Sequence, residues 1–262
     1  MLGEATSPRY NSTEESPVTY SLSTRYRMAP DTMIYARIAT GYRPGGSNND
    51  KLGVPGTFGA DTLVNYEIGL KAQWLDRRLF ANLTAFYIDW QDVQIEQSTP
   101  TGVGYTGNGG SAVSQGMEWD VRYAFPVGLT IGVNGTYSDA KLTQDAPSIG
   151  ARHGDPLPII PRWAGSVTAD YSTDIGDRCR ARLGTRYGYL GSRNTEFPGA
   201  LTNIVVDAYD VLDVTAGLSF DGWDAGLYIR NATDAKAIIA NSPAGPVILH
   251  PRTIGLSLDR SF

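Results

Sequence analysis

Three carboxylates, Asp89, Asp92 and Glu96, crowd one short stretch of the chain, and Glu67, Glu118 and Asp120 recur at alternate positions elsewhere. Paired carboxylates hydrolyse glycosides when two of them flank the bond. Several oxygens gathered in a loop hold a hard cation. Gly102-Val103-Gly104-Tyr105-Thr106-Gly107 matches the G-x-G-x-x-G pattern that cradles a dinucleotide, which needs a strand before it and a helix after it. His153, in Arg152-His153-Gly154-Asp155, and His250 are the two histidines, with Ser148 and Ser242 near them in sequence. A base and a nucleophile are therefore available, but no spacing brings them together. Arg43, Arg152, Arg193 and Arg252 offer guanidinium forks to an anionic ligand. The plainer readings are a hydrated wall for the carboxylates, a hairpin loop for the glycines, and surface loops for the histidines and arginines.

Composition narrows the choice. The chain has 262 residues and a formal net charge of −5, so it carries no basic footprint for nucleic acid. One cysteine excludes a disulfide framework and a cysteine-built zinc site. Two histidines leave little for an imidazole metal centre, and no cofactor is expected. Charged residues make up 19%, below the ~25% of average soluble domains. No run of about 18 apolar residues is present, so no transmembrane helix is predicted. Residues 1–17 are polar and lack the basic-then-apolar layout of a secretory signal, and we expect a loop there.

The elements that must position these residues are strands. From Val64 to Trp74 every even position is apolar or aromatic and every odd position is polar or glycine. That period of two belongs to a strand with one greasy and one wet face. Met117, Trp119, Val121, Tyr123 and Phe125 repeat it, as do Leu212, Val214, Ala216, Leu218 and Phe220. About eleven strands are predicted: 18–28, 32–43, 61–74, 79–96, 111–125, 128–142, 162–173, 178–192, 208–220, 222–232 and 252–262. Many exceed the ~5–6 residues usual in soluble sheets. Short turns at 29–31, 76–77, 126–127, 173–177 and 221–222 alternate with long loops at 44–60, 97–110, 143–161, 193–207 and 233–251. Segregation of loop length by end is the plan of an outer-membrane barrel. The five tryptophans, Trp74, Trp90, Trp119, Trp163 and Trp223, are expected in aromatic girdles at the two membrane interfaces, with Phe262 ending the short-turn side.

Several segments also resemble a known family. NYEIGLKAQWLDRRLFANLTAFYIDWQDVQI (65–95) resembles the strand–turn–strand of TonB-dependent outer-membrane receptors, and IYARIATGYRPGGSN (34–48) their strand ending in G-F/Y-R-x-G-G. GMEWDVRY (116–123), GDPLPIIPRWAGSVTADY (154–171), YIRNATDAK (228–236) and HPRTIGLSLDRSF (250–262) resemble further family segments, in family order over about residues 18–262. The resemblance implies an all-β, antiparallel up-and-down transmembrane barrel in the bacterial outer membrane. It implies Phe262 as the C-terminal signal read by the barrel-assembly machinery, although Arg260 replaces the usual aromatic. These receptors have 22 strands around a plug. About half the strands and no plug-like segment are present, so we expect a C-terminal half barrel, a fragment.

Eleven alternating strands begin and end in the same direction, so self-closure would need a parallel seam. We therefore expect the isolated chain not to form a competent pore. The implied function is energised uptake of a scarce solute, most simply a ferric siderophore. Outer-membrane lipid surrounds the wall, and the inner-membrane energy-coupling complex is reached only through the absent plug. Ferric siderophores are commonly anionic, which makes Tyr42, Arg43, Arg152, His153, Arg193 and His250 candidate contacts at the extracellular mouth. The alternative from another class is a soluble all-β carbohydrate-binding module. A barrel enzyme would need a wall-mounted nucleophile beside a base, and no catalytic residue is expected.

Overall fold

The computed structural model describes residues 16–49, 53–99, 103–200, 203–242 and 245–261. Phe262, Gly102 and most of the polar segment 1–17 lie outside the described residues. In chain order the strands are β1 (Ser21–Ala29), β2 (Thr32–Arg43), β3 (Gly46–Ser47), β4 (Thr57–Phe58), β5 (Asp61–Trp74), β6 (Leu79–Gln91), β7 (Gln94–Ser98), β8 (Gly104–Asn108), β9 (Ala112–Ala124) and β10 (Leu129–Leu142). After a short 3-10 turn at Pro147–Ile149 follow β11 (Trp163–Ile175), β12 (Cys179–Leu190), β13 (Arg193–Asn194), β14 (Val205–Val206), β15 (Tyr209–Phe220), β16 (Trp223–Arg230), β17 (Ile238–Ser242), β18 (Gly245–Ile248) and β19 (Thr253–Arg260).

One sheet of 11 strands carries the fold, in the order β1-β2-β5-β6-β9-β10-β11-β12-β15-β16-β19, every neighbour antiparallel. The remaining strands form four two-stranded hairpins, β3-β4, β7-β8, β13-β14 and β17-β18, each inside a long loop. The predicted wall strands are thus present, with one correction of extent. The strand expected over 79–96 stops at Gln91, where Asp92 takes a left-handed φ of 54° and the chain leaves the wall for the β7-β8 hairpin. The G-x-G-x-x-G stretch falls largely on β8, and its glycines are followed by the wall strand β9 rather than a helix.

Turn chemistry explains how the short end closes. Asp221 and Gly222 both have positive φ, 45° and 80°, between Phe220 and Trp223, which pair directly. A two-residue Asp-Gly hairpin turn matches the right-handed twist of its strands. The β5-β6 turn is costlier, with Leu75, Asp76 and Arg77 all at positive φ.

Among the described residues the wall has no second layer. Its buried apolar residues are small, such as Ala39, Ala72 and Ala81, while Leu256, Leu22, Leu258 and Ile68 are 82%, 70%, 66% and 62% exposed. A soluble sandwich would bury those side chains between two sheets. This sheet instead turns them outward in register across its strands, as Ile68, Leu70 and Leu83 illustrate. The carbohydrate-binding sandwich is therefore ruled out as a fold. The sheet is also open: β1 and β19 are its edges, both running from the long-loop end to the short-turn end.

A compact core exists at the long-loop end, where loop residues meet the ends of β9 and β10. Val93, Ala112, Ala140, Leu142, Ala146, Ala151, Leu157 and Phe197 are buried together, with Trp90, Ile95 and Ile149 packed against them. The long loops are thus folded against one another at one end of the wall.

Candidate functional site

The period of two that turns aliphatics outward turns their neighbours inward. Tyr35, Glu67, Lys71, Thr84, Glu118 and Asn134 face the concave side of the sheet. An open trough of about 760 Å³ runs along that side, with Lys71, Glu118, Asp120, Arg186 and Asp213 in its lining and Tyr35 and Tyr209 at its flanks. The inner ion pairs are largely exposed: Arg182 Nη2 reaches both oxygens of Asp224 at 2.6 and 2.7 Å, and Ser219 donates to the same carboxylate at 2.8 Å. Solvent screens such pairs, so they add little to stability. Their effect is to keep the surface hydrated and charged. Between them lie close seats for aromatic rings. Tyr35 lies across Gly69 of the next strand and bonds Thr84 Oγ1 through its hydroxyl at 2.9 Å. Tyr228 covers Gly255 in the same way.

At the long-loop end the mouth is stitched by a few polar groups, of which Asp61 is buried. Asp61, 2% exposed, accepts from Arg43 Nε at 3.1 Å and from the Gln94 backbone N–H at 3.1 Å, and pairs with Arg43 Nη2 as well. The Arg43 guanidinium also lies 5.6 Å from the Trp90 ring centre. Gln94 Nε2 donates to Pro44 O at 2.8 Å and Gly59 O at 3.0 Å. The side-chain amide of Asn48 imitates a strand partner: its Oδ1 accepts from Thr106 N at 2.9 Å and its Nδ2 donates to Thr106 O at 2.7 Å. Asn108 does the same to Gly59, at 2.8 and 3.0 Å. Together these groups tie loop 44–60 to the β7-β8 hairpin. Sequence reading missed them; the signal was the concentration of Asn and Gly in GGSNN and GNGG.

The six candidate mouth residues are not gathered into one site: among the described residues no hydrogen bond or ion pair joins any two of them. Tyr42, at the end of β2, lies on the outward face in register with Thr62, and so lies on the lipid side. Arg43 is committed to Asp61 and Gln94. Arg193 is committed as well, donating to Ile239 O with its guanidinium 5.9 Å from the Tyr209 ring. His250 is exposed, and its carbonyl accepts from the buried Asn231 at 3.0 Å. Arg152 and His153 stand exposed beside each other on loop 143–162, held through their backbone N–H groups by Asp155 at 2.8 Å and Asp145 at 2.7 Å.

The tryptophans divide by face. Trp74 and Trp223 point outward at the short-turn end, where the Arg260 guanidinium sits 5.0 Å from the Trp223 ring. Trp163 points outward at the long-loop end, 4.7 Å from the Tyr137 ring, and Trp119 lies outward within the wall, 6.3 Å from Trp163. Trp90 departs from the girdle expectation. It shares the inward register of Thr84 and Phe86 and packs against the loop core. The upper outward row consists mainly of tyrosines, including Tyr66 and Tyr87, 6.3 Å apart.

A family profile described as TonB dependent receptor-like, beta-barrel, matches residues 3–232. The pesticin receptor of Yersinia enterocolitica is 30% identical over 195 residues, which is 74% of this chain and 26% of that receptor. The metal-pseudopaline receptor CntO of Pseudomonas aeruginosa is 26% identical over 193 residues, 73% of this chain and 26% of that one. Among solved structures, the ferric yersiniabactin uptake receptor FyuA from Yersinia pestis superposes with a TM-score of 0.75 at 22% identity, over 90% of this chain and 36% of FyuA. BauA, the ferric preacinetobactin receptor from Acinetobacter baumannii, gives 0.71 at 18% identity, over 92% of this chain and 36% of that one. The chain spans about a quarter of the length of these curated relatives.

Proposed function

The chain belongs to the TonB-dependent receptor β-barrel family, and from that premise we propose that it forms the C-terminal part of the barrel of an outer-membrane receptor that takes up a ferric siderophore. The carrying observation is the division of the wall. One face is aliphatic and exposed, the other is a hydrated trough with both signs of charge, and the mouth above it is built from loops that share a buried core with the ends of β9 and β10. A solute caught at the mouth would meet a wet, charged path below it. The names of the relatives support a metal-complexing ligand: they include a ferric yersiniabactin receptor, a ferric preacinetobactin receptor and a metal-pseudopaline receptor.

In this reading the wall residues act by geometry. The outward row of Ile68, Leu70 and Leu83 holds the sheet in hydrocarbon, where every backbone group must be paired within the sheet. The inward row keeps water and charge along the path. Arg152 and His153 are exposed neighbours at the mouth and would meet an anionic ligand there. The experiment is uptake of radiolabelled iron by an iron-starved host lacking its own siderophore receptors, with and without the full-length receptor that carries this chain. Accumulation of a ferric siderophore that depends on the energy-coupling complex supports the reading. Accumulation of no ferric siderophore from a chelator panel, with the protein confirmed in the outer membrane, would overturn the iron assignment.

A further inference from the structure

We propose that Lys141 and Arg162, bridged by Asp139, form a binding site for the phosphate of a lipid headgroup in the outer leaflet. The argument begins with parity. On β10 the odd positions point outward, since Val133 pairs with Val121 and Val167, and Tyr137 with Met117 and Trp163. Asp139 and Lys141 continue that row beyond Tyr137 toward the long loops. In β9–β12 the other cations, Arg122, Arg180, Arg182 and Arg186, fall on the inward register. A lysine in the lipid-facing row is costly at the bilayer midplane and nearly free near the interface.

Height is the second observation. Tyr137 and Trp163, with ring centres 4.7 Å apart, mark the upper aromatic row, and such rows sit at headgroup level. Each further outward residue adds roughly 6.6 Å along the strand. Asp139 and Lys141 therefore lie in the layer where lipid phosphates lie.

Geometry is the third. Lys141 Nζ lies 3.0 Å from Asp139 Oδ2, and Arg162 Nη2 lies 3.3 Å from Asp139 Oδ1. The carboxylate thus holds an ammonium on one oxygen and a guanidinium on the other. Both cations keep free donors: their side chains are 40% and 71% exposed, against 16% for Asp139. The cluster keeps one net positive charge, and a guanidinium matches phosphate geometry.

This inference rests on the membrane-barrel reading. The receptor that carries this chain is purified from outer membranes in non-ionic detergent and examined by native mass spectrometry. The probes are bis-phosphorylated lipid A and its dephosphorylated form. Wild type is expected to retain the phosphorylated lipid preferentially, and K141Q/R162Q to lose about tenfold or more of that retention. D139N, which raises the cluster's charge by one, is expected to retain at least as much as wild type. Equal retention by wild type and K141Q/R162Q would overturn the proposal. So would a D139N loss as large as that of the double variant, which would make the cluster an internal ion-pair brace. Unchanged heat-modifiable gel mobility shows that each variant is folded. Recovery of wild type as a soluble protein would overturn the membrane reading itself, and the site with it.

Discussion

The phenol ring of Tyr35 lies across Gly69 on the neighbouring strand, so closely that a Cβ at Gly69 would collide with it. The contact sits on the wet face, where a strand glycine would otherwise be a weakness. The ring covers the bare backbone, and its hydroxyl ties β2 across β5 to Thr84 on β6.

G69A tests that contact by its sign. Alanine has the better strand propensity, so an uncovered site would gain stability. Because the ring must move, we expect a loss of about 1–3 kcal/mol. The expected readout is a lower midpoint for heat-modifiable mobility of the folded receptor. A gain in stability would show that the ring gives way freely.

Asp61 joins Arg43 to the Gln94 backbone with 2% of its surface exposed. D61N leaves Arg43 without its anion and should cost about 1–3 kcal/mol. The damage should be local. Amide exchange should quicken in segments 44–60 and 92–111, while β15 and β16 stay protected. Uniform loss of protection would mean that the pair supports the whole wall.

Arg152 and His153 are exposed on loop 143–162, with their backbone N–H groups tied down by Asp155 and Asp145. R152E should change stability by less than about 0.5 kcal/mol. If the loop meets an anionic ferric siderophore, it should weaken binding by about tenfold, and more at low salt than at high salt. Fluorescence titration of purified receptor checks both the affinity and its salt dependence.

The 262-residue chain alone should not conduct uniformly in planar bilayers. Its two edge strands, β1 and β19, run the same way and leave unpaired backbone groups, which hydrocarbon penalises by several kcal/mol per group. A stable, single-sized conductance from the isolated chain would contradict this.

The wall was legible because alternation is a strong local signal. The stretch from Val64 to Trp74 places β5 to its last residue. Trp90 was not legible because β6 is apolar on both faces: Phe80, Phe86 and Ile88 alternate with Leu79, Leu83 and Tyr87. The face was settled only by pairing, through Leu63 opposite Trp90. Arg43 looked like a free cation because its partner, Asp61, lies 18 residues on, across a loop whose closure no local pattern reports. The loop hairpins were invisible for a related reason. β3, β4, β13 and β14 are two residues each, too short to show any period, and the amides of Asn48 and Asn108 hold the mouth by shape rather than by hydrophobic rhythm.

An odd number of crossings also fixes sidedness. The 11-stranded wall is entered at the loop side before Ser21 and left at the turn side after Arg260. An epitope placed ahead of β1 should thus be stained on intact cells, while one placed behind β19 should need a permeabilised envelope. Ser21 and Arg260 lie at opposite ends of the wall, so a linker that joined them would have to run the length of a strand.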